Sequence, residues 1–144
     1  MSTKRTKMKL FQKETLLVLA LFLLAFVIRF VYLNQIKLNP YFDTPQIDAL
    51  WHHNWAKEIA AGDWLGKEVF FRAPLYPYFL GTLYSLFGES FYLPRLIQII
   101  IGSLSCVLIF LLGRKVFNKT VGIIASVAAC VYAPFIYFDA ELLI

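Results

Sequence analysis

The sequence predicts an all-α integral membrane protein with three transmembrane helices and two interfacial (juxtamembrane) helices in its first extracytoplasmic loop. Three observations predict it. First, the 144 residues are 60% hydrophobic, against about 45–50% for a soluble domain, and the mean hydropathy is +0.66. Second, the apolar residues fall in blocks long enough to cross a bilayer. Third, the stretch 41–87 between two blocks gathers all three tryptophans, both histidines and most of the carboxylates. The net charge is +5, but the basic residues sit beside the apolar blocks. That placement orients a chain in a membrane and argues against a nucleic-acid partner.

Residues 1–14 form a basic tail with Lys4, Arg5, Lys7, Lys9 and Lys13 against one acid, Glu14. Residues 15–33, TLLVLALFLLAFVIRFVYL, carry one charge, Arg29. A helix of that length rises roughly 28 Å, enough for a hydrocarbon core. The run exceeds a typical signal-peptide core and no small-residue cleavage site follows it, so it reads as a retained anchor. The positive-inside rule places the tail in the cytoplasm. Arg29, about one turn from the outer end, is expected to snorkel to the interface, with a site inside the protein as the alternative.

Residues 34–95 form the extracytoplasmic loop. A short extended connection over 34–43 leads to Thr44-Pro45, which reads as N-cap and first helical position. An interfacial helix is predicted over about 45–61, with Ile47, Leu50, Trp51, Trp55 and Ile59 on its apolar stripe and Gly62 as its stop. A loop over 63–73 and Pro74 precede a second helix over about 74–87, short of the ~20 residues of a span and rich in Tyr and Phe.

Residues 96–113 read as the second span, 114–119 as a basic cytoplasmic loop, 120–138 as the third span and 139–144 as an extracytoplasmic end. With the 74–87 helix kept out of the membrane, the basic loop falls inside and eight of the nine acids outside. Gly122, Ser126, Ala129 and Ala133 line one face of the third span, and Gly102 and Cys106 one face of the second; such spacing permits close helix packing. Cys106 and Cys130 read as small apolar residues within helices. The expectation is a multi-pass protein of a bacterial cytoplasmic membrane, and the amino-terminal portion of something longer. Further spans, or a partner membrane protein, would complete the fold.

Asp48 is the first candidate site residue. A carboxylate there could serve as general base toward an acceptor hydroxyl or amine, or could simply complement the helix dipole in the first turn. Asp43 reads as a loop or capping residue. Arg72, in FFRAPLYP, suits a phosphate or pyrophosphate, or a lipid headgroup as an anchor. Asp139 and Glu141, where the third span emerges, could join Asp48 in one acidic pocket or be hydrated acids at a span end. His52 and His53 point about 100° apart on a helix and do not share an ion readily. No metal is assigned and no cofactor is called for, with a divalent ion supplied from elsewhere left open.

The run IDALWHHNWAKEIAAGDW, then FFRAPLYPYFLGTLYSLFGESFYLPRLIQIIIGSLSCVLIFLLGRKVF, then YFDAELL resembles the amino-terminal part of polytopic GT-C glycosyltransferases. The nearest groups are bacterial relatives of protein O-mannosyltransferases and of the lipid A aminoarabinose transferase (glycosyltransferase families 39 and 83), over about residues 15–144. The resemblance implies a polyprenyl-phosphate-linked sugar donor and an acceptor on the outer face. It implies Asp48, ahead of Gly62-Asp63-Trp64, as catalytic base, Arg72 with Pro74 at the donor phosphate, and Asp139 or Glu141 as a further acid. The chain departs from the mannosyltransferases in having RAPLYP where they have a KPP-like start, and in lacking their Asp-Glu pair, so mannose and a protein acceptor are not implied. A contrasting expectation is a small non-catalytic assembly protein whose small-residue faces bind partner helices, or an inactive truncated fragment.

Overall fold

The computed structural model describes residues 2–65 and 73–142, with side chains from residue 12 onward. The described residues form six helices and no strand: α1 (Ser2–Ile36), α2 (Ile47–Ala60), α3 (Leu75–Phe87), α4 (Tyr92–Val116), α5 (Lys119–Val131) and α6 (Ala133–Asp139). Among the described residues two helical stretches are long and apolar enough to cross a membrane, Gln12–Ile36 and Tyr92–Val116. The bent pair α5–α6 makes a third if taken as one span. At 14 and 13 residues, α2 and α3 are each shorter than the ~20 residues of a span.

The long helices run antiparallel, and two ion pairs mark the ends of the bundle. Glu14, early in α1, lies 3.1 Å from Arg114, late in α4. Arg29, late in α1, lies 2.6 Å from Asp139 at the end of α6. The α4–α5 turn therefore shares an end with the start of α1, and the α2–α3 hairpin and residues 139–142 share the other. Asn118 makes the turn tight by capping α5, its side-chain oxygen accepting from the Val121 amide at 3.0 Å. Beside it Gly113 and Gly122 bring α4 and α5 so close that a Cβ on Gly113 would stand 2.8 Å from the Gly122 Cα. Further along, Ser126 Oγ donates to the Cys106 carbonyl at 2.7 Å, and Ala25, Cys106, Ala129 and Cys130 form the apolar core of the three helices. Gly122, Ser126 and Ala129 thus pack on α4 of the same chain, so this face is not left for a partner helix; Ala133 lies beyond the bend and is exposed.

The span expected over 120–138 is bent. Pro134 has no amide hydrogen and its ring crowds the carbonyl four residues back, so α5 stops at Val131 and α6 leaves at 57°. The 34–43 connection is a series of turns rather than extended chain, with Asn39 and Phe42 amides bonded to the Ile36 and Asn39 carbonyls at 2.9 and 3.0 Å. Gln46, not Thr44, is the N-cap of α2, because the Thr44 hydroxyl instead donates to the Pro40 carbonyl at 3.2 Å. Gly62, at φ 103°, ends α2 as its sequence position predicts.

The buried face of α2 also differs from the expected stripe. It consists of Ala49, His52, His53, Ala56 and Ile59, while Ile47 and Leu50 are exposed. The reason is the closeness of α3: a Cβ on Gly81 would meet Ile59 at 2.7 Å. Gly81 leaves room for Ile59, which is fully buried beside Ala56, while Ile47 and Leu50 turn outward.

Candidate functional site

The end of the bundle that carries α2, α3 and residues 139–142 bears the candidate acids Asp48, Asp139 and Glu141. Asp48 lies in the first turn of α2 and is half-buried; like Asp63, it is engaged by a neighbouring group. Its chain neighbour Ala49 packs in one apolar cluster with Ala56, Tyr76, Leu80, Tyr84 and Leu142. Leu142 follows Glu141 directly, so the segment after α6 docks on the same hairpin that carries Asp48. Ile47, immediately before Asp48, has φ 50°, a left-handed conformation that a β-branched residue adopts only under strain. Arg72 lies outside the described residues.

Arg95 organises this end, and sequence reasoning passed over it. It stood just outside the expected second span, where an arginine reads as an ordinary interface residue. In the structure α4 begins earlier and Arg95 is 4% exposed. Its Nε donates to the Ala140 carbonyl, and its Nη1 to the Phe42 and Phe91 carbonyls, each at 3.0 Å. Its guanidinium also lies over the Phe42 ring, 4.0 Å from the centroid. One side chain thereby ties together the 37–46 turns, the start of α4 and the segment after α6. The signal was present in FYLPRL: proline is favoured in the first turn of a helix, so Pro94 places Arg95 inside a helix rather than ahead of one.

A second chain of bonds pins the same segment. The buried Tyr76 hydroxyl donates to Gln98 Oε1 at 3.0 Å, and Gln98 Nε2 donates to the Glu141 carbonyl at 2.8 Å. Burial pushes the Tyr76 phenol well above its ordinary range, so it remains a neutral donor. The Glu141 backbone is fixed while its carboxylate is half-buried. Burial raises that carboxyl above the ordinary range, and the Arg95 charge only partly opposes the shift.

The two candidate acids after the third helical stretch therefore differ. Asp139 is held by Arg29, whose Nε donates to it at 2.6 Å. Arg29 is 1% exposed, so it does not snorkel; the alternative of a partner inside the protein describes it. The pair outcompetes the interface because Gly102 leaves room for the carboxylate, where any Cβ would overlap it. Asp139 thus faces the helix bundle, and Glu141 stands beside Arg95 and Tyr76 next to the α2–α3 hairpin.

The two histidines serve the hairpin. His53 Nδ1 lies 3.1 Å from the Tyr84 hydroxyl and Nε2 3.3 Å from a Glu89 carboxylate oxygen. Its ring also rests on Phe91. His52 packs edge-on against Trp51 and Tyr76. Trp51, Trp55, Tyr78 and Trp64 form a ladder of ring contacts along α2 and α3. Among the described residues no group of three His, Cys, Asp or Glu side chains is placed to hold a metal ion.

Residues 72–142 match the family described as dolichyl-phosphate-mannose-protein mannosyltransferase. No curated protein and no solved structure matches the chain. The matched residues run from the candidate Arg72 through α3, α4, α5 and α6 to the segment that Arg95 and Gln98 pin. Over residues 72–142 the chain thus matches the dolichyl-phosphate-mannose-protein mannosyltransferase family, a match that suggests a membrane glycosyltransferase of the GT-C type.

Proposed function

We propose that this chain builds one wall of the active site of an inverting membrane glycosyltransferase. The enzyme moves a sugar from a polyprenyl-phosphate-linked donor to an acceptor at the outer face of a bacterial cytoplasmic membrane. The match over residues 72–142 carries the reading. The docking of Leu142 on the hairpin that bears Asp48 supports it.

In this reaction the acceptor oxygen or nitrogen attacks the anomeric carbon while the bond from that carbon to the phosphate oxygen breaks. Asp48 takes the acceptor proton, and the electron pair of the broken bond leaves on the lipid phosphate. Arg72 balances the charge gathering on that phosphate. Glu141, rather than Asp139, is the acid after α6 that orients the sugar or acceptor, since Asp139 is spent on Arg29. Any further spans, or a partner membrane protein, would supply the opposite wall, and lipid surrounds the apolar faces.

The test is turnover of a polyprenyl-phosphate-linked sugar by the whole protein in detergent or liposomes. Asp48→Asn is expected to lower kcat by roughly a hundredfold or more with donor binding retained. Normal turnover by this variant overturns the assignment of the base.

A further inference from the structure

Arg29 and Asp139 pair within the helix bundle, where the arginine is almost fully buried. Ionisable groups within membrane-spanning segments are expensive and are retained for a purpose, and a buried ion pair by itself contributes little net stability. Yet three separate features of the chain converge on this one. Gly102 on α4 provides the gap that the Asp139 carboxylate fills. Pro134 deprives the Cys130 carbonyl of its helical donor, and Arg29 Nη1 reaches that carbonyl at 3.4 Å. The third is Asp139 itself, which ends α6 directly ahead of the pinned segment 140–142. The guanidinium thus grips both sides of the bend, the freed carbonyl at the end of α5 and the carboxylate at the end of α6.

We propose that Arg29 and Asp139 are a positioning pair that fixes the direction of the α5–α6 bend and, through it, the placement of Glu141 against the α2–α3 hairpin. The role in turnover rests on the function proposed above; the role in the bend does not. A proline break permits many exit directions for the following helix. Arg29 selects one, because its Nε and Nη1 can meet the Asp139 carboxylate and the Cys130 carbonyl together only when α6 leaves toward α1 and α4. Asp139 acts through Glu141 and touches no substrate.

The experiment uses the whole protein with both buried cysteines replaced by alanine and nitroxide labels at the exposed positions Ile124 and Phe138, one on each side of the bend. The expected result is one narrow distance distribution for the parent and a broadened one for Arg29→Met, Asp139→Asn and Gly102→Ala. Gly102→Ala is informative because it leaves both charges in place. An unchanged distribution in Arg29→Met or Asp139→Asn overturns the proposal. Should Arg29→Met not yield folded protein, Arg29→Lys takes its place, since an ammonium cannot span both acceptors in the same way.

The second arm is turnover. Each single variant is expected to lose roughly tenfold to a hundredfold in kcat, with KM for the donor little changed. The double variant Arg29→Met/Asp139→Asn should be no worse than the poorer single one, because the two residues act as a unit. Losses that multiply would mean that Asp139 acts on its own in the pocket, and would overturn the positioning role. If the parent turns over no polyprenyl-phosphate-linked sugar, the proposed function falls and the distance measurement alone decides the bend.

Discussion

Glu141 keeps a carboxylate half-buried at a point where its backbone is fixed by Gln98. Burial raises its pKa, and Arg95 offsets only part of the rise, so the charged form is disfavoured in the folded protein. The folded state then holds its proton more tightly than the unfolded chain does. Stability is lost as pH rises from the ordinary glutamate value, about 4.3, through the raised folded value, and the penalty is complete above it. Glu141→Gln is therefore expected to raise the melting temperature at pH 7 and to leave it unchanged near pH 4, measured by thermal unfolding in detergent. A gain in stability joined to a loss of turnover would mark a residue kept for chemistry. At this scale the sequence was legible where a residue's role depends on its near neighbours, as with Gly62 and Pro74. It was illegible for Arg29 and Arg95, because their partners lie 110 and 45 residues away and only the fold brings them near.

The α2–α3 hairpin depends on a titratable contact. His53 joins α2 to Tyr84 of α3 and to Glu89 ahead of α4, with Lys57 also 3.9 Å from Glu89. Burial lowers the His53 pKa, the Glu89 charge opposes the shift and Lys57 adds to it. Burial, with Glu89 nearby, pushes the Tyr84 phenol up to about 12, so it stays protonated throughout the relevant range. The folded state takes up the His53 proton later than the unfolded chain as pH falls. The histidine's contribution is present above the ordinary histidine value of about 6.5 and is lost as pH drops below it toward the lowered folded value. Amide exchange in α2 and α3 is expected to accelerate on going from pH 7.5 to 5.5, after correction for intrinsic rates, and His53→Gln should flatten this response. The existence of both helices could be read from Pro74, Gly62 and the apolar spacing. The buried face of α2 could not, since the glycine that admits Ile59 lies on α3, at Gly81, and only the fold brings the two together.

Across the whole molecule, the pairing of Glu14 with Arg114 and of Arg29 with Asp139 sets which ends lie together. Lys115 and Lys119 join Arg114 beside the start of α1, and the positive-inside rule would place that end in the cytoplasm. Single cysteines at exposed Phe117 and exposed Ile47, in a background without Cys106 and Cys130, test this. A membrane-impermeant maleimide applied to intact cells stripped of their outer layers should label Ile47→Cys and spare Phe117→Cys, and the reverse pattern would invert the topology. The helical class and the positions of the long apolar segments were legible in the sequence because hydrocarbon thickness dictates their length. The 57° break was within reach, with Pro134 in plain view, but the apolar residues on both sides made the run look continuous.

The separation of Arg29 from its partner also bears on biosynthesis. Arg29 leaves the ribosome 110 residues ahead of Asp139, so α1 enters the bilayer before the carboxylate that will neutralise it exists. About one turn from the end of a span, a guanidinium in a nascent chain can rest among water and lipid phosphates. It is drawn inward only when α5 and α6 arrive. The ion pair can close only after α6 has been made, which places it late in assembly.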